Sequence, residues 1–425
     1  MQNQAAPKKT YLIPLLIIGG IFFVIGFGIG ISGFLTPALR TAFDLGVGES
    51  YLVTAAIFSA FVIFGRPSAW VISRFGYRRS MVAAFAIMAA GMLLFVPSAT
   101  SVSFPLFLLA LFVGGIGNTL LQAAVNPYIT IVGPMETAAV RMSLMGIMNK
   151  LAWWAAPLFL GLFIDLQEVR LGDVILPFYL VGGILLLLGI GVYFAPLPEV
   201  KAKGEEDGES QTDPLDLASD HARNKRSILQ FPHLLLGALA IFLYAGIEIL
   251  PMASVIDFAR ASFGDEPNLE RYAGFVTVGL IAGYVFGVLT IPKIISQKRA
   301  LVLFSLIGIA SSLMLVLLPL QYAFYCLLMV SFANSLMWPA IWPLAIADLG
   351  KFTKVGSSIL VMGIVGGGII PLAFGYLVGL GEGGSEVVSN YQSAYWILLP
   401  AYLFILYFAL HGHGIRIRND QRTRM

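Results

Sequence analysis

Twelve long apolar runs, set apart by charges, glycines and prolines, constrain this chain more than any motif within it. They cover residues 11–39, 51–72, 80–98, 104–130, 141–164, 174–196, 232–256, 272–292, 300–319, 322–346, 356–380 and 390–411. A hydrocarbon core about 30 Å thick takes roughly 20 helical residues to cross, and a helix satisfies its own backbone hydrogen bonds where water is absent. Over 425 residues, 58% are hydrophobic and 12% charged, with a mean hydropathy of +0.86. That composition excludes an ordinary soluble domain. The expected fold is all-α and integral to the membrane, with twelve transmembrane helices embedded in a lipid bilayer.

An even number of spans leaves both termini on one side of the bilayer. If that side is the cytoplasm, Lys8, Lys9, Arg74, Arg78, Arg79, Arg141, Lys201, Lys203, Arg223, Lys225, Arg226, Lys293, Lys298, Arg299, Lys351, Lys354 and the carboxy-terminal arginines lie inside, against only Arg40, Arg170, Arg260 and Arg271 outside. The asymmetry follows the positive-inside rule, so the bases are read as topology. No basic stripe is interleaved with aromatics, and no nucleic-acid partner is expected. The first run is too long for a signal-peptide core and is kept as a span. The expected location is a bacterial-type inner (plasma) membrane, multi-pass, with both termini cytoplasmic.

Residues 199–227 read EVKAKGEEDGESQTDPLDLASDHARNKRS, rich in both charges and poor in aromatics, the composition of a flexible linker. It divides the chain into an amino-terminal six-helix bundle (1–198), a cytoplasmic linker (199–230) and a carboxy-terminal six-helix bundle (231–425). The halves echo each other: Pro157-Leu-Phe-Leu-Gly161 resembles Pro371-Leu-Ala-Phe-Gly375, and Met145-Gly-Ile147 resembles Met362-Gly-Ile364. A weak six-plus-six repeat is the mark of a rocking transporter with its site between the halves.

Asn118, Gln122 and Asn126 recur every fourth residue inside one apolar run. Polar side chains in lipid are costly, so a one-faced row of them predicts the lining of a protein interior. Two other runs repeat the device, one with Gly146, Asn149, Lys150, Trp153 and Trp154, the other with Asn334, Trp338 and Trp342. Indole planes pack against the C–H faces of sugars while amides and carboxylates take the hydroxyls.

The ionisable groups at depth are Arg66, Lys150 and Glu248. Lys150 follows Arg141 by nine residues and so sits roughly 13 Å into the bilayer, beyond an easy reach to the surface. Glu248 has three open roles: bonding a substrate hydroxyl, carrying a proton, or pairing with Lys150. Lys150 equally suits a carboxylate, which keeps a sugar acid open as substrate beside a neutral sugar. Arg66, beside Pro67, is expected to brace neighbouring helices. The four histidines fall near helix ends or in a loop and are expected at the surface, and the single Cys326 allows no internal disulfide. With no metal-ligand cluster, nucleophile constellation or phosphate-binding lysine loop, neither an enzyme nor a cofactor is expected.

Residues 118–161, NTLLQAAVNPYITIVGPMETAAVRMSLMGIMNKLAWWAAPLFLG, resemble the fourth and fifth helices of the fucose permease and glucose/galactose transporter branch of the major facilitator superfamily. Pro339-Ala-Ile-Trp-Pro-Leu-Ala-Ile-Ala-Asp-Leu-Gly350 and the glycines Gly366, Gly367 and Gly368 carry the likeness into the second half. The resemblance is collinear over nearly the whole chain. It implies a sugar transporter working by alternating access, with protons as co-substrate.

Two departures qualify that implication. Ser32-Gly33-Phe-Leu-Thr-Pro37 puts Gly33 where the permease has an aspartate, and Gln122 stands where it has a glutamate, although the glucose/galactose members also use glutamine. Tyr244-Ala-Gly-Ile-Glu248 matches the family's Tyr-x-Gly-x-Glu pattern, so Glu248 is the remaining coupling acid. The superfamily's loop motif survives as Ala69-Trp-Val-Ile-Ser-Arg-Phe-Gly-Tyr-Arg-Arg79, with Ser73 in place of the acid. It implies a gate formed by Arg74, Arg78, Arg79 and Arg141. The substrate-binding set is expected to be Gln122, Asn126, Asn149, Lys150, Trp153, Tyr244, Glu248, Asn334 and Trp338. The function expected is proton-coupled symport of a sugar or sugar derivative, the alternative being an uncoupled facilitator or a carrier of an acidic sugar.

Overall fold

The structure is a computed structural model describing residues 12–42, 47–163, 172–173, 175–200, 222, 225–264, 272–379 and 387–415. Among these residues the twelve apolar runs are twelve helices: α1 (Leu12–Ala42), α2 (47–75), α3 (77–100), α4 (Phe104–Ile131), α5 (Ala138–Leu160), α6 (Ile175–Phe194), α7 (Pro232–Phe263), α8 (Ala273–Thr290), α9 (Gln297–Leu317), α10 (Leu320–Ile346), α11 (Gly350–Val378) and α12 (Tyr391–Gly414). Local breaks interrupt α10 near Tyr325 and Leu336 and α11 near Ile364. Most of the predicted linker, its bases Lys201, Lys203 and Arg223, and His221 lie outside the described residues, as do Lys8, Lys9, Arg170, Arg271 and the carboxy-terminal arginines.

Where a loop was expected between the second and third spans, α2 passes directly into α3 through a kink at Gly76, whose φ of 79° favours glycine. Glu199, the first residue of the predicted linker, belongs to this turn. Its carboxylate accepts hydrogen bonds from the backbone N–H of Tyr77 (3.1 Å) and Arg78 (3.3 Å), capping the start of α3. A methyl group at position 76 would lie 2.8 Å from Glu199 Oε1.

Small residues let the helices meet closely, as they do in lipid, where no hydrophobic force separates protein from solvent. Gly91 lies against Gly114 between α3 and α4, and Gly26 lies on the Asn149 carbonyl between α1 and α5. The halves meet through two such seams. On one, Gly65 faces Met362 and Gly368 faces Phe58, joining α2 to α11; on the other, Gly146 faces Tyr284 and Ser143 faces Gly287, joining α5 to α8. At the end carrying the loop bases, the Gln297 side chain accepts from the Ala139 N–H and donates to the Met135 carbonyl, both at 2.8 Å, and Lys354 lies over the Tyr77 ring. The two halves are therefore closed against each other at this basic end.

Three expectations are corrected. Arg66 is exposed on α2 and not buried between helices. His233 is fully buried, its Nε2–H donating to the Ala347 carbonyl at 3.0 Å. His413 is also buried, with Nδ1 3.1 Å from the Phe408 carbonyl, so these two rings tie helix ends into the bundle instead of facing solvent.

Candidate functional site

Between the halves lies a cavity of about 220 Å³ walled by α1–α5 on one side and α7, α8, α10 and α11 on the other. Its centre is an ion pair: Lys150 Nζ on α5 stands 3.3 Å from Glu248 Oε1 on α7, with the two side chains only 6% and 14% exposed. Burial of both charges is costly, and the pair persists because each partner has further support. Lys150 lies 4.8 Å from the ring centre of Trp153, one turn along α5, in a cation–π contact. Tyr244, one turn before Glu248, and Tyr284 on α8 hydrogen-bond the carboxylate. Gly146 makes this possible, since any side chain there would collide with the Tyr284 ring.

The amino-terminal wall carries the amides. Gln122 Nε2 donates to Asn118 Oδ1 at 3.2 Å, so the two side chains present themselves as a linked pair on one face of α4. Asn149 Nδ2 donates to the Phe22 carbonyl at 3.3 Å, fixing its amide at the cavity edge. Trp338 faces in from α10 and meets Phe22 at a ring separation of 5.4 Å across the halves.

Gln122, Asn149, Lys150, Trp153, Tyr244, Glu248 and Trp338 thus line one cavity, from both of its walls. Asn126 and Asn334 do not reach it. Asn334 Nδ2 donates at 2.8 Å to the Ile247 carbonyl and its Oδ1 accepts from Tyr402 at 2.8 Å. Pro251 lacks the N–H that would bond the carbonyl four residues back, and Asn334 fills that vacancy in α7. Asn126 lies one turn nearer the basic end than Gln122, fully buried, with neither amide atom hydrogen-bonded in this state. Of the other indoles, Trp154 is 46% exposed on the outer face and Trp342 is fully buried away from the cavity.

The expected gate separates into three kinds of arginine. Arg141 is 5% exposed and donates to the carbonyls of Ile129 (2.8 Å), Thr130 (2.7 Å), Gly133 (3.3 Å) and Pro134 (2.9 Å) and to the Thr137 hydroxyl (2.7 Å). Ile129 and Thr130 offer carbonyls that the end of α4 leaves unsatisfied, and together the five bonds tie the guanidinium to the α4–α5 turn. Arg78 and Arg79 line a second pocket with Glu199 and with Lys354 of the other half. Arg74 is exposed and lines neither pocket.

Tyr284 escaped the sequence reading. The signal was present as a lone hydroxyl in Ala282-Gly283-Tyr284-Val285-Phe286-Gly287, where flanking glycines let a large ring sit between close helices.

Residues 18–371 match the Major Facilitator Superfamily. The chain is 29% identical over 421 residues to a protein of Brucella abortus biovar 1 (strain 9-941) named glucose/galactose transporter, covering 97% of each. It is 24% identical over 434 residues to the L-fucose-proton symporter of Escherichia coli (strain K12), covering 96% of this chain and 94% of that one. Among solved structures, the transporter FucP in its outward conformation superposes with a TM-score of 0.77 at 23% identity, over 94% of this chain and 98% of that one.

Proposed function

The chain belongs to the major facilitator superfamily, and we propose that it is a proton-coupled symporter of a neutral hexose or close derivative, working by alternating access. The observation that carries this reading is the Lys150–Glu248 pair, because its two members belong to halves that must move apart. Separating them with both charges intact would strand a buried carboxylate, at a cost of about 3–5 kcal/mol. A proton on Glu248 removes that cost on one side. On the other, Lys150 keeps the Trp153 face, which travels with it on α5.

Sugar hydroxyls then replace Lys150 at Glu248 and bond Tyr244, Gln122 and Asn149, with Trp153 and Trp338 offering ring faces to the C–H surface. While the pair is closed Glu248 neutralises Lys150, so the resting site carries no net charge and suits an uncharged sugar better than a sugar acid. The names of the Brucella and Escherichia relatives support both the sugar and the proton.

In this reading residues 1–198 and 231–425 are the rocking halves, the chain sits multi-pass in a bacterial-type inner membrane, and the basic end and both termini face the cytoplasm. Arg78, Arg79, Glu199 and Lys354 form the cytoplasmic gate, with Arg74 at its rim. Glu199 supplies the carboxylate that Ser73 lacks.

The test is uptake into proteoliposomes of labelled hexoses, deoxyhexoses, amino sugars and uronates, with and without an inward proton gradient. Concentrative uptake of a neutral sugar only with the gradient is expected, and Glu248→Gln should reduce this to gradient-independent equilibration. Accumulation by Glu248→Gln equal to wild type would reject Glu248 as the proton site. Uptake of uronates alone would reject the neutral substrate.

A further inference from the structure

The cavity continues past the amides in a direction the sugar does not need. Along α4, away from the basic end, the wall changes from Gln122 and Asn118 to Gly115 and Gly114 and then to Leu111 and Ala110. Beside it stand Phe61 of α2 and Met88, Met92 and Phe95 of α3. Among the described residues, no ionisable group lines this stretch. A Cβ on Gly114 would have no atom within 4 Å, so this part of the wall borders open space, whereas one on Gly115 would press on α2.

An apolar recess of this kind, contiguous with a polar site, is of no use to a free hexose, which carries hydroxyls all round its ring edge and has no apolar substituent to place there. Water held there would have no partners among thioethers, rings and glycine Cα atoms. We infer that the recess receives an apolar substituent, and that the preferred substrate is a glycoside or sugar derivative with an alkyl or aryl group at one end. The inference rests on the sugar reading of the site and adds its substrate class.

The sugar ring takes the Gln122–Glu248 level, and the substituent passes Asn118 into the space beside Gly114. Methionine suits such a wall because its flexible thioether adapts to substituents of differing shape.

The experiment compares free hexose with its methyl, propyl, butyl, hexyl and phenyl glycosides as competitors of labelled hexose uptake in proteoliposomes. Affinity should rise with chain length by up to about fourfold per buried methylene, then level off when the recess is full. In Gly114→Leu the Cβ has no neighbour within 4 Å, so the new side chain extends into the open recess. This variant should lose the chain-length gain while its KM for free hexose stays within twofold of wild type.

Equal affinity of all glycosides for the wild-type protein would overturn the recess and leave the sugar reading standing. Competition by a hexyl chain on a non-sugar polyol equal to that of the hexyl glycoside would overturn it as well, since the gain would then come from membrane partition. If neither hexose nor any glycoside is taken up or bound, both readings fall. The chain-length series on wild-type protein decides the matter even if Gly114→Leu does not fold.

Discussion

Two cations on the same helix, each 5% exposed, have opposite surroundings. Arg141 spends its planar donors on four carbonyls and a hydroxyl of its own half. Lys150 has a single carboxylate, and it belongs to the other half. Burial alone therefore does not distinguish a structural charge from a functional one; what matters is whether the partner moves with it. A charge satisfied within one rigid body keeps its energy through any rocking motion, whereas one satisfied across the seam changes energy with every cycle.

The largest effect should come from Arg141. Arg141→Lys keeps the charge but cannot reach five acceptors from one ammonium, leaving buried carbonyls unpaired at about 1–3 kcal/mol each. The purified variant should unfold at a markedly lower temperature, with transport falling only in proportion to folded protein. A variant of normal thermal stability that had lost transport would reverse the contrast with Lys150.

Lys150→Met comes next. It should leave most of the protein folded and abolish concentrative uptake, with turnover down at least tenfold, because Glu248 is left buried with no counter-charge in the state where the halves meet. Adding Glu248→Gln to it should restore part of the equilibrating flux. A double variant no better than Lys150→Met alone would show that the pair is not the coupled element.

The smallest effect belongs to Asn126, which is buried without hydrogen bonds while the basic end is closed. Asn126→Leu should change stability by no more than about 1 kcal/mol, since it removes an unsatisfied amide. It should leave outside binding of sugar unaltered and slow its release at the basic end, read as a lowered efflux rate at unchanged affinity. An unchanged efflux rate would assign Asn126 to packing alone.

The stripe of Asn118, Gln122 and Asn126 shows how far the sequence could be read. Four-residue spacing established that all three share a face of one helix. It could not say where along that face the cavity ends, because closure at the basic end depends on α5 and α8 packing through Gly146 and Tyr284. Asn334 shows the converse. Its partner was encoded in Pro251, whose missing N–H orphans the Ile247 carbonyl, but only the crossing of α7 and α10 reveals which side chain fills the gap. Arg66 and His233 were misjudged for a related reason, since a helix of lipid-like composition does not disclose which of its faces meets protein.

By itself the sequence determined that this is a twelve-helix membrane protein with an internal six-plus-six echo and polar groups at depth, because apolar length and polar periodicity are set by single helices and the bilayer. Only the tertiary structure decided that Lys150 meets Glu248, that Arg141 bonds the α4–α5 turn, and that an apolar recess opens beside Gly114. Those are relations between helices far apart in the chain, fixed by where small residues let backbones approach, and no local pattern encodes them.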